Sequence, residues 1–380
     1  MKLTKTGLQL YSTFGVTTEC EHGQRFTSGL IYTRFDMEHS KKILELKKRL
    51  VGIKPLEDEP EFFNSEETLV RFLKSREWNV NDTEKMLKES IEYRRRIRPS
   101  YLDCKWCHDR PGCHSMRQVG FDEAGRPVIY SNFAQANLRH NTSEDTICHC
   151  TYLIENAKRT MPPGVSTWVF VIDCTGMTIQ ACNPKLGYGV TQVMANHYPE
   201  RLGLVICVNH NPVFQGIWKA MKVFIHPNTS SKVKLVKSKS KVKQTFLEVF
   251  PSELTEWILE EMRQNKIKPL PSTQREFWNK PTESGRHDPR GCSSYIEKYI
   301  DRSEKENAAF EILHKGHPNI MDSIKGKVVS VKKSSELEKK SSPCHHVDSC
   351  NSDSDEEFEQ IEMLDIPDEF KVPDDAVKFT

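Results

Sequence analysis

Two short apolar runs constrain the fold of this chain more than any other feature of its sequence. They cover 169–172 and 204–208, and neither alternates with polar residues. Strands of this kind are buried on both faces, as they are in a parallel sheet that helices cover. Segments with helical periodicity stand around the runs, over 142–158, 184–197 and 212–224. The alternation predicts an α/β domain with a largely parallel or mixed sheet.

The pattern of the sequence divides the chain into four segments. Residues 1–37 contain four glycines and no sustained periodicity, which predicts a weakly ordered leader. Apolar residues recur at helical spacing over 38–99, which predicts a small helical subdomain. The strands and helices of the α/β domain occupy 100–270. Pro, Ser, Lys and Glu dominate 271–380, which predicts a linker and an acidic, disordered tail.

The charge of the chain is balanced as a whole and uneven along its length. The 55 basic and 53 acidic residues leave a formal charge of +2, which argues against a nucleic-acid binder. Lysines crowd 219–243, whereas 353–369 contains acidic residues and no lysine or arginine. The chain has neither a window of about 20 apolar residues nor the apolar stretch of a secretory signal. We therefore expect a cytoplasmic protein, peripheral on membranes, with its 12 cysteines as thiols.

Several short motifs follow one another in a fixed order. They are Arg-Phe-Leu-Lys-Ser-Arg at 71–76, Asp-Glu-Ala-Gly-Arg-Pro-Val at 122–128, Asp-Cys-Thr-Gly at 173–176 and Tyr-Pro-Glu-Arg-Leu at 198–202. Over about residues 38–262 the series resembles the CRAL-TRIO lipid-binding family, and within it the phosphatidylinositol-transfer branch. The resemblance implies a mixed β-sheet flanked by helices that enclose a lipid cavity, preceded by a small helical N-terminal subdomain.

The resemblance also implies a site for the phosphoinositol headgroup of a lipid. The positions that match it are Arg76, Glu200, Thr229 and Lys232. Their chemistry fits, because a phosphate binds a cation and a hydroxyl donor, and a carboxylate accepts from inositol hydroxyls. The alternative is that Arg76 and Glu200 form a structural ion pair and Lys232 is a solvated surface charge.

A second group of positions bears on phosphatidylcholine. The family branch binds that lipid with hydroxyl side chains on its pocket strands, and this chain has Ile129, Trp168 and Phe170 at the equivalent places. Apolar side chains cannot compensate the charge of a buried phosphodiester. The second ligand is therefore predicted to be more apolar, such as a sterol or a tocopherol-like lipid.

Residues 212–225 match the helix that the family uses as a movable gate over its cavity. Its apolar residues recur at helical spacing and include Phe214, Trp218, Met221 and Phe224. Core packing produces the same stripe, so periodicity alone does not separate a gate from a wall. The resemblance favours a gate.

Lysines on and after this helix form a candidate membrane-docking surface. They are Lys219, Lys222, Lys234, Lys237, Lys239 and Lys241. Each basic side chain near an anionic leaflet contributes about 1 kcal/mol, so the expected partner is an anionic membrane surface. The alternative is a solvated basic face without a partner.

Cysteine and histidine residues cluster at two places. Cys104 and Cys107 with His108 copy the spacing of a c-type haem attachment site, and Cys113 with His114 suggests zinc instead. Ordinary loop thiols are the third alternative. The residues around His149 alternate about a helix and are not expected to converge. The site prediction therefore contains no metal, and no cofactor is expected.

An acidic segment from Glu61 to Glu67 contains two phenylalanines. It resembles the motif that recruits lipid-transfer proteins to endoplasmic-reticulum receptors. The alternative is that Phe63 packs next to Ser65, the N-cap of a helix. Ser352 and Ser354 lie among acidic residues and are candidate phosphorylation sites.

The predicted function is binding and transfer, or sensing, of phosphatidylinositol or a related lipid by a monomer without enzymatic turnover. The sequence contains no glycine-rich phosphate loop and no nucleophile elbow, and the resemblance implies a structural role for Asp173. One alternative is a regulatory adaptor whose lipid occupancy controls a partner. Another is a carrier of an apolar ligand.

Overall fold

The computed structural model describes residues 28–102, 104, 107, 112–136, 143–178, 184–222, 225–283 and 285–300. They belong to the first of two compact units, Met1–Ser334. Most of the predicted leader and the predicted tail after residue 300, with Ser352 and Ser354, lie outside the described residues. So does Phe224 of the predicted gate.

Three helices form the N-terminal part of the fold. They are α1 (Ser28–Arg49), α2 (Glu66–Ser75) and α3 (Val80–Ile97). Asn79 caps α3, because its side chain accepts hydrogen bonds from the backbone N–H groups of Asn81 and Asp82. The apolar faces of these helices form one core, whose fully buried members include Leu46, Leu69, Phe72, Leu87 and Ile91.

A five-stranded mixed sheet forms the centre of the second part. Its strands are β1 (Arg117–Phe121), β2 (Pro127–Asn132), β3 (Trp168–Asp173), β4 (Leu202–Val208) and β5 (Val233–Val236). They lie in the order β1-β2-β3-β4-β5, with β1 antiparallel to β2 and the other pairs parallel. The predicted α/β fold class with a mixed sheet is confirmed.

Helices cover the sheet and connect its strands. They are α4 (Ser143–Thr160), α5 (Pro184–His197), α6 (Pro212–Lys222), α7 (Pro227–Ser230), α8 (Lys239–Leu247) and α9 (Ser252–Gln264). Shorter helical turns are Pro99–Tyr101, α10 (Ser272–Arg275), α11 (Ser293–Tyr295) and Ile296–Ile300. Among the described residues, no helix has both the length and the apolar content that crossing a bilayer requires.

The two faces of the sheet are covered differently. One face, here called the closed face, carries the fully buried strand residues Val128, Tyr130, Val169, Val171, Ile206 and Val208. Helices α8 and α9 pack over it. The opposite face, here called the open face, carries Ile129, Trp168, Phe170, Ile172 and Val205. Helices α4 and α5 cover its amino-terminal end, but Phe170, Ile172 and Val205 stay partly exposed.

The segment 271–300 packs against the sheet, whereas its composition predicts a linker. Phe277, Cys292 and Ile296 are buried. The backbone N–H of Cys292 donates to the carbonyl of Val119 at 3.0 Å, which ties this segment to β1. A few apolar side chains therefore anchor a segment whose average composition is polar, and an average over the segment conceals them.

Candidate lipid headgroup site and gate

Two of the predicted headgroup residues meet at the end of the sheet. Glu200 lies in the turn between α5 and β4, and Lys232 precedes β5. Lys232 Nζ is 3.6 Å from Glu200 Oε2, and their side chains are 27% and 37% exposed. A partly solvated pair at this distance contributes little to stability, at most about 1 kcal/mol. The pair can therefore open toward a polar ligand at low cost.

The backbone at Glu200 adopts an unusual conformation. Its φ angle is +56°, in the left-handed region. This conformation costs a residue with a side chain roughly 1 kcal/mol or more. The fold therefore keeps Glu200, whose carboxylate pairs with Lys232, in a backbone conformation that residues with a side chain normally avoid.

Thr229 belongs to the same turn as Lys232. It lies in α7 and is partly buried, and its carbonyl accepts a hydrogen bond from the backbone N–H of Lys232 at 3.1 Å. This turn places a hydroxyl and an ammonium group three residues apart in the chain. Both are donors to phosphate oxygens.

Arg76 is placed differently from the other three. It follows the last residue of α2, and its guanidinium donates to the carbonyl of Ser75 at 3.3 Å. In the described part of the chain the carboxylate of Glu200 pairs with Lys232, so the Arg76–Glu200 ion pair considered as the alternative to a headgroup site is replaced by a Glu200–Lys232 pair. The reason is topological, because the turn before β5 lies beside the turn before β4, where β4 and β5 run in parallel.

A cleft of about 280 Å³ lies between the N-terminal helices and the Glu200 turn. Arg71 of α2 lines it together with Pro199 and Arg201, the two neighbours of Glu200. Burial, and next the charge of Arg201, lower the pKa of Arg71 to about 9. Burial also lowers the pKa of Arg201. In both arginines the loss of hydration outweighs the charges of nearby carboxylates, Glu67 for Arg71 and Glu155 for Arg201, which makes this end of the cleft receptive to an anion.

The other end of the cleft contains a buried ionic network. Arg94 pairs with Glu59 and, at 3.2 Å, with Glu155. Lys158 pairs with the same two carboxylates at 3.0 and 2.7 Å. Burial by itself raises the pKa of Glu155, but the charges of Lys158 and Arg94 outweigh it and lower the pKa to about 2. These cations are neutralised within the protein.

Sequence reasoning missed this cleft. Arg71 and Arg201 stand inside two of the recognised motifs, beside residues that were singled out, so the motifs were the available signal. Arg94 and Lys158 are on exposed-looking basic stretches of α3 and α4. Only the packing of α3 against α4 shows that Arg94 is buried and Lys158 is half-buried.

The predicted gate and wall residues occupy different environments. Phe214 and Trp218 of α6 are partly buried, and α6 packs against α5. Met221 lies in the same helix. Phe170 is partly exposed on the open face, whereas Trp168 is 1% exposed and packs edge-on against Tyr198 at 6.3 Å between ring centres. Of the two wall residues, Phe170 is the one that a ligand over the open face can reach.

The predicted docking lysines lie on neighbouring elements. Exposed side chains belong to Lys219, Lys222, Lys234, Lys237 and Lys241, and Lys239 begins α8. β5 is an edge strand, and Lys234 and Leu235 on it are exposed. A basic edge with exposed apolar area has the composition of a membrane-docking surface.

The receptor-motif segment is packed into the fold. Phe63 is 3% exposed within the N-terminal helical core. Phe62 contacts Phe72 edge-on, and the guanidinium of Arg94 lies 4.4 Å from the centre of its ring. A receptor could bind both phenylalanines only after the segment had left this core.

Asp173 has the surroundings of a structural carboxylate. It is fully buried and accepts hydrogen bonds from Asn132 Nδ2 at 2.6 Å and from Asn209 Nδ2 at 2.7 Å. Thr175 and Tyr130 also donate to it. A carboxylate with all its acceptor sites occupied ties the ends of β2, β3 and β4 together and has no free lone pair for proton transfer.

Four cysteine and histidine side chains from the segment before β1 and from α4 converge on one another. The four residues whose ligand atoms lie within 4.8 Å of one another are Cys104, Cys107, His114 and His149. The sequence did not predict the participation of His149, because 35 residues separate it from His114. Cys113 is not a member of this group, although its position beside His114 made it a candidate.

Two protein-family models match the chain. Residues 115–256 match the CRAL/TRIO domain, and residues 42–89 match the CRAL/TRIO, N-terminal domain. A CRAL-TRIO domain-containing protein of Schizosaccharomyces pombe is 29% identical over 170 residues, which are 44% of this chain and 17% of that protein. The phosphatidylinositol transfer protein PDR17 of Saccharomyces cerevisiae is 27% identical over 196 residues, 47% of this chain and 54% of that protein.

The matches cover only part of these relatives, about a sixth of one and about half of the other. Among solved structures, the crystal structure of Sfh5 is similar with a TM-score of 0.45 and 17% identity. That match covers 58% of this chain and 85% of the Sfh5 chain.

Proposed function

The chain belongs to the CRAL-TRIO family, whose members are lipid-binding and transfer proteins, and we propose that its own ligand is phosphatidylinositol or a related lipid. In this proposal the headgroup binds at Glu200, Thr229 and Lys232, with Arg76 approaching from α2. The protein moves the lipid between membranes, or reports its presence, without chemical turnover.

The observation that carries the proposal is the contact between Glu200 and Lys232. These residues are 32 positions apart in the sequence, and the fold brings their side chains within 3.6 Å of each other, with Thr229 in the same turn as Lys232. A headgroup can insert between them, so that the ammonium group binds phosphate and the carboxylate accepts from inositol hydroxyls. The weak coupling of the existing pair favours this exchange. A relative named as a phosphatidylinositol transfer protein supports the same ligand class.

The cleft of Arg71 and Arg201 extends the basic character of the proposed site. Arg201 adjoins Glu200 in the chain, and Arg71 precedes Arg76 by five residues. An additional phosphate on the inositol ring would find two incompletely neutralised cations near the Glu200 turn. We therefore include phosphorylated phosphatidylinositols among the candidate ligands.

The proposed acyl-chain site is the open face of the sheet, with α6 as its proposed gate. Phe170, Ile172 and Val205 present partly exposed apolar area there, and the half-buried Phe214 and Trp218 belong to the gate helix. An apolar floor of this kind also favours a second, wholly apolar ligand over phosphatidylcholine. The proposal excludes catalysis at Asp173, whose carboxylate is occupied by side-chain amides and hydroxyls.

The proposal is tested by transfer of phosphatidylinositol between vesicles with the Glu200→Ala/Lys232→Ala variant. Loss of the two polar groups that face the headgroup should reduce transfer to about a tenth or less, since each charged hydrogen bond contributes about 1.5 to 3 kcal/mol. Native mass spectrometry of the protein with extracted lipids should show a bound phosphatidylinositol in the wild type and much less in the variant.

The matched control is Glu260→Ala/Arg263→Ala. These residues form an exposed ion pair at 2.6 Å on α9, so the control removes the same two charges on a different element. It should transfer the lipid at the wild-type rate. Undiminished transfer by the Glu200/Lys232 variant would contradict the headgroup assignment, and wild-type protein that retains no inositol lipid would contradict the ligand class.

A further inference from the structure

We propose that Cys104, Cys107, His114 and His149 form a tetrahedral zinc site that joins the loop after α3 to β1 and α4. The four ligand atoms lie within 4.8 Å of one another. Cys104 Sγ is 3.6 Å from His114 Nδ1, and Cys107 Sγ is 3.3 Å from His149 Nδ1. A tetrahedral zinc ion with Zn–S of about 2.3 Å and Zn–N of about 2.1 Å separates a sulfur from a nitrogen by about 3.6 Å. The Cys104–His114 spacing equals this edge length, and the Cys107–His149 spacing is slightly shorter.

The backbone directs both thiols to one point. The N–H of Cys107 donates to the carbonyl of Cys104 at 3.0 Å, which closes a turn over the Cys-x-x-Cys segment. Such a turn puts the two sulfurs on the same side of the chain, as in zinc sites with this spacing. The thiols contact His114 and His149, so the two cysteines do not act as a haem attachment site in this arrangement.

The histidines are oriented as metal ligands are. His149 Nε2 is 2.9 Å from the carbonyl of Met116, and a carbonyl only accepts, so Nε2 carries the proton. The Nδ1 lone pair of His149 then faces Cys107. An outer hydrogen bond of this kind fixes the tautomer of a ligating histidine. The ring of His114 stacks on that of His149 with 4.2 Å between centres, so both rings enter the cluster from the same side.

His114 is buried beside the cluster. Its side chain is 7% exposed, and its Nδ1 is the ring nitrogen that faces Cys104.

The ligand set indicates a structural site for zinc. Two sulfurs and two imidazoles complete four-coordination and leave no position for a water molecule, unlike a catalytic zinc site. Cys104 and His149 are 1% and 3% exposed and His114 is buried as well, whereas Cys107 is half-buried, so three of the four ligands are shielded from solvent. Sulfur and imidazole donors in a tetrahedral arrangement favour Zn²⁺ over Mg²⁺ or Ca²⁺, which bind oxygen.

The position of the cluster in the fold indicates the structural role of the ion. Cys104, Cys107 and His114 lie between the two ranges that the family models match, 42–89 and 115–256. His149 is on α4, which packs against α5 and the sheet. The ion would fix the connection between the helical N-terminal part and the first strand, at the end of the sheet covered by α4.

The test is the metal content of the full chain, purified under reducing conditions from cells grown with Zn²⁺ and without a metal-binding tag. The wild type should carry about one zinc ion per chain by mass spectrometry of the elements. Cys104→Ser/Cys107→Ser and His149→Ala should carry about a tenth of that or less. X-ray absorption at the zinc edge should show two sulfur and two nitrogen neighbours.

Cys113→Ser and Cys148→Ser are the matched controls, because each removes a neighbouring thiol that is outside the cluster. Both should keep the ion. Co²⁺ substitution of the wild type keeps the test independent of how the variants fold, since tetrahedral cobalt with thiolate ligands has an intense visible spectrum. Wild-type protein without zinc, zinc retained after loss of both cysteines, a zinc ion without sulfur neighbours, or a Cys104–Cys107 disulfide in place of the ion would each overturn the proposal.

Discussion

The two faces of the central sheet differ in how completely they are covered, although the same strands supply both. Val169, Val171 and Ile206 on the closed face are fully buried under α8 and α9. Phe170 and Val205, their alternating neighbours on the open face, are partly exposed. The side chains of one continuous apolar run therefore lie in two different environments. One side of each strand forms the core, and the other offers area to a ligand.

The largest expected effect is on the free energy of unfolding, and it distinguishes the closed face as core from the open face as a ligand-binding surface. Phe246→Ala, on α8 against the closed face, should lower the free energy of unfolding by about 3 to 5 kcal/mol, because a fully buried phenylalanine leaves a cavity. Phe170→Ala on the open face should lower it by about 1 to 2 kcal/mol, because part of the ring is already exposed. Chemical denaturation of both variants measures the difference. Equal losses would show that the open face is core as well.

A somewhat smaller effect concerns the buried network beside the open face. Glu155→Gln should lower the free energy of unfolding by about 3 kcal/mol at pH 7, because it leaves Arg94 and Lys158 incompletely paired. The folded pKa of Glu155 is about 2, below its ordinary 4.5. The contribution of the carboxylate is therefore complete above about pH 4.5 and is lost as the pH falls toward 2.

Urea denaturation at a series of pH values checks this prediction. The difference between wild type and Glu155→Gln should narrow as the pH falls from 4.5 toward 2. Glu260→Gln is the control, because the hydrogen bond from Arg263 lowers the pKa of this carboxylate to about 2 as well, but at the surface. Its loss should cost at most about 1 kcal/mol. A constant difference across this pH range would exclude Glu155 as its source.

The parts of the fold that the sequence predicts well are those that depend on short-range pattern. Helix α5 has the predicted bounds and strand β3 contains the whole apolar run 169–172, because an apolar run buried on both sides and an amphipathic repeat are local signals. Strand β1 was not predicted, since Arg117 and Gln118 in it are polar. Arg117 is satisfied by Glu261 and by the carbonyl of Pro289, both more than 140 residues away.

The candidate sites show the same division. Glu200 and Lys232 were singled out by their motifs, but the pairing of Glu200 with Lys232 depends on the alignment of β4 and β5. His149 joins Cys104 and Cys107 only through the packing of α4, and no spacing in the sequence expresses that contact. Residue type gives the chemistry of a site, and tertiary packing decides which residues share it.

Charge reversal tests whether the basic edge near the open face meets a membrane. Replacing Lys234, Lys237, Lys239 and Lys241 by Glu should weaken binding to anionic vesicles about 1,000-fold or more at low salt, because each lysine near the surface contributes about 1 kcal/mol. The residual binding should depend less on salt. Vesicle sedimentation measures both the affinity and its dependence on salt.

The control is the same reversal of Lys41, Lys48, Lys74 and Lys85, which are exposed on the N-terminal helices. It should have a much smaller effect. Equal weakening by both sets would indicate a nonspecific charge effect.

The smallest expected effect concerns ligand choice on the open face. Phe170 and Ile172 are partly exposed, so they can be changed at less cost than Trp168, which is packed against Tyr198. Phe170→Thr with Ile172→Thr places two hydroxyl groups where the wild type offers only apolar area. Each hydroxyl that binds a polar headgroup contributes about 1 kcal/mol, so the two together should raise phosphatidylcholine uptake about 30-fold relative to an apolar ligand such as a sterol. Competition between labelled lipids measures the ratio of phosphatidylcholine uptake to sterol uptake.

The control is Ile267→Thr, which changes an exposed isoleucine outside the sheet and should leave this ratio unchanged. Efficient phosphatidylcholine transfer by the wild type would show that the open face does not select against polar headgroups.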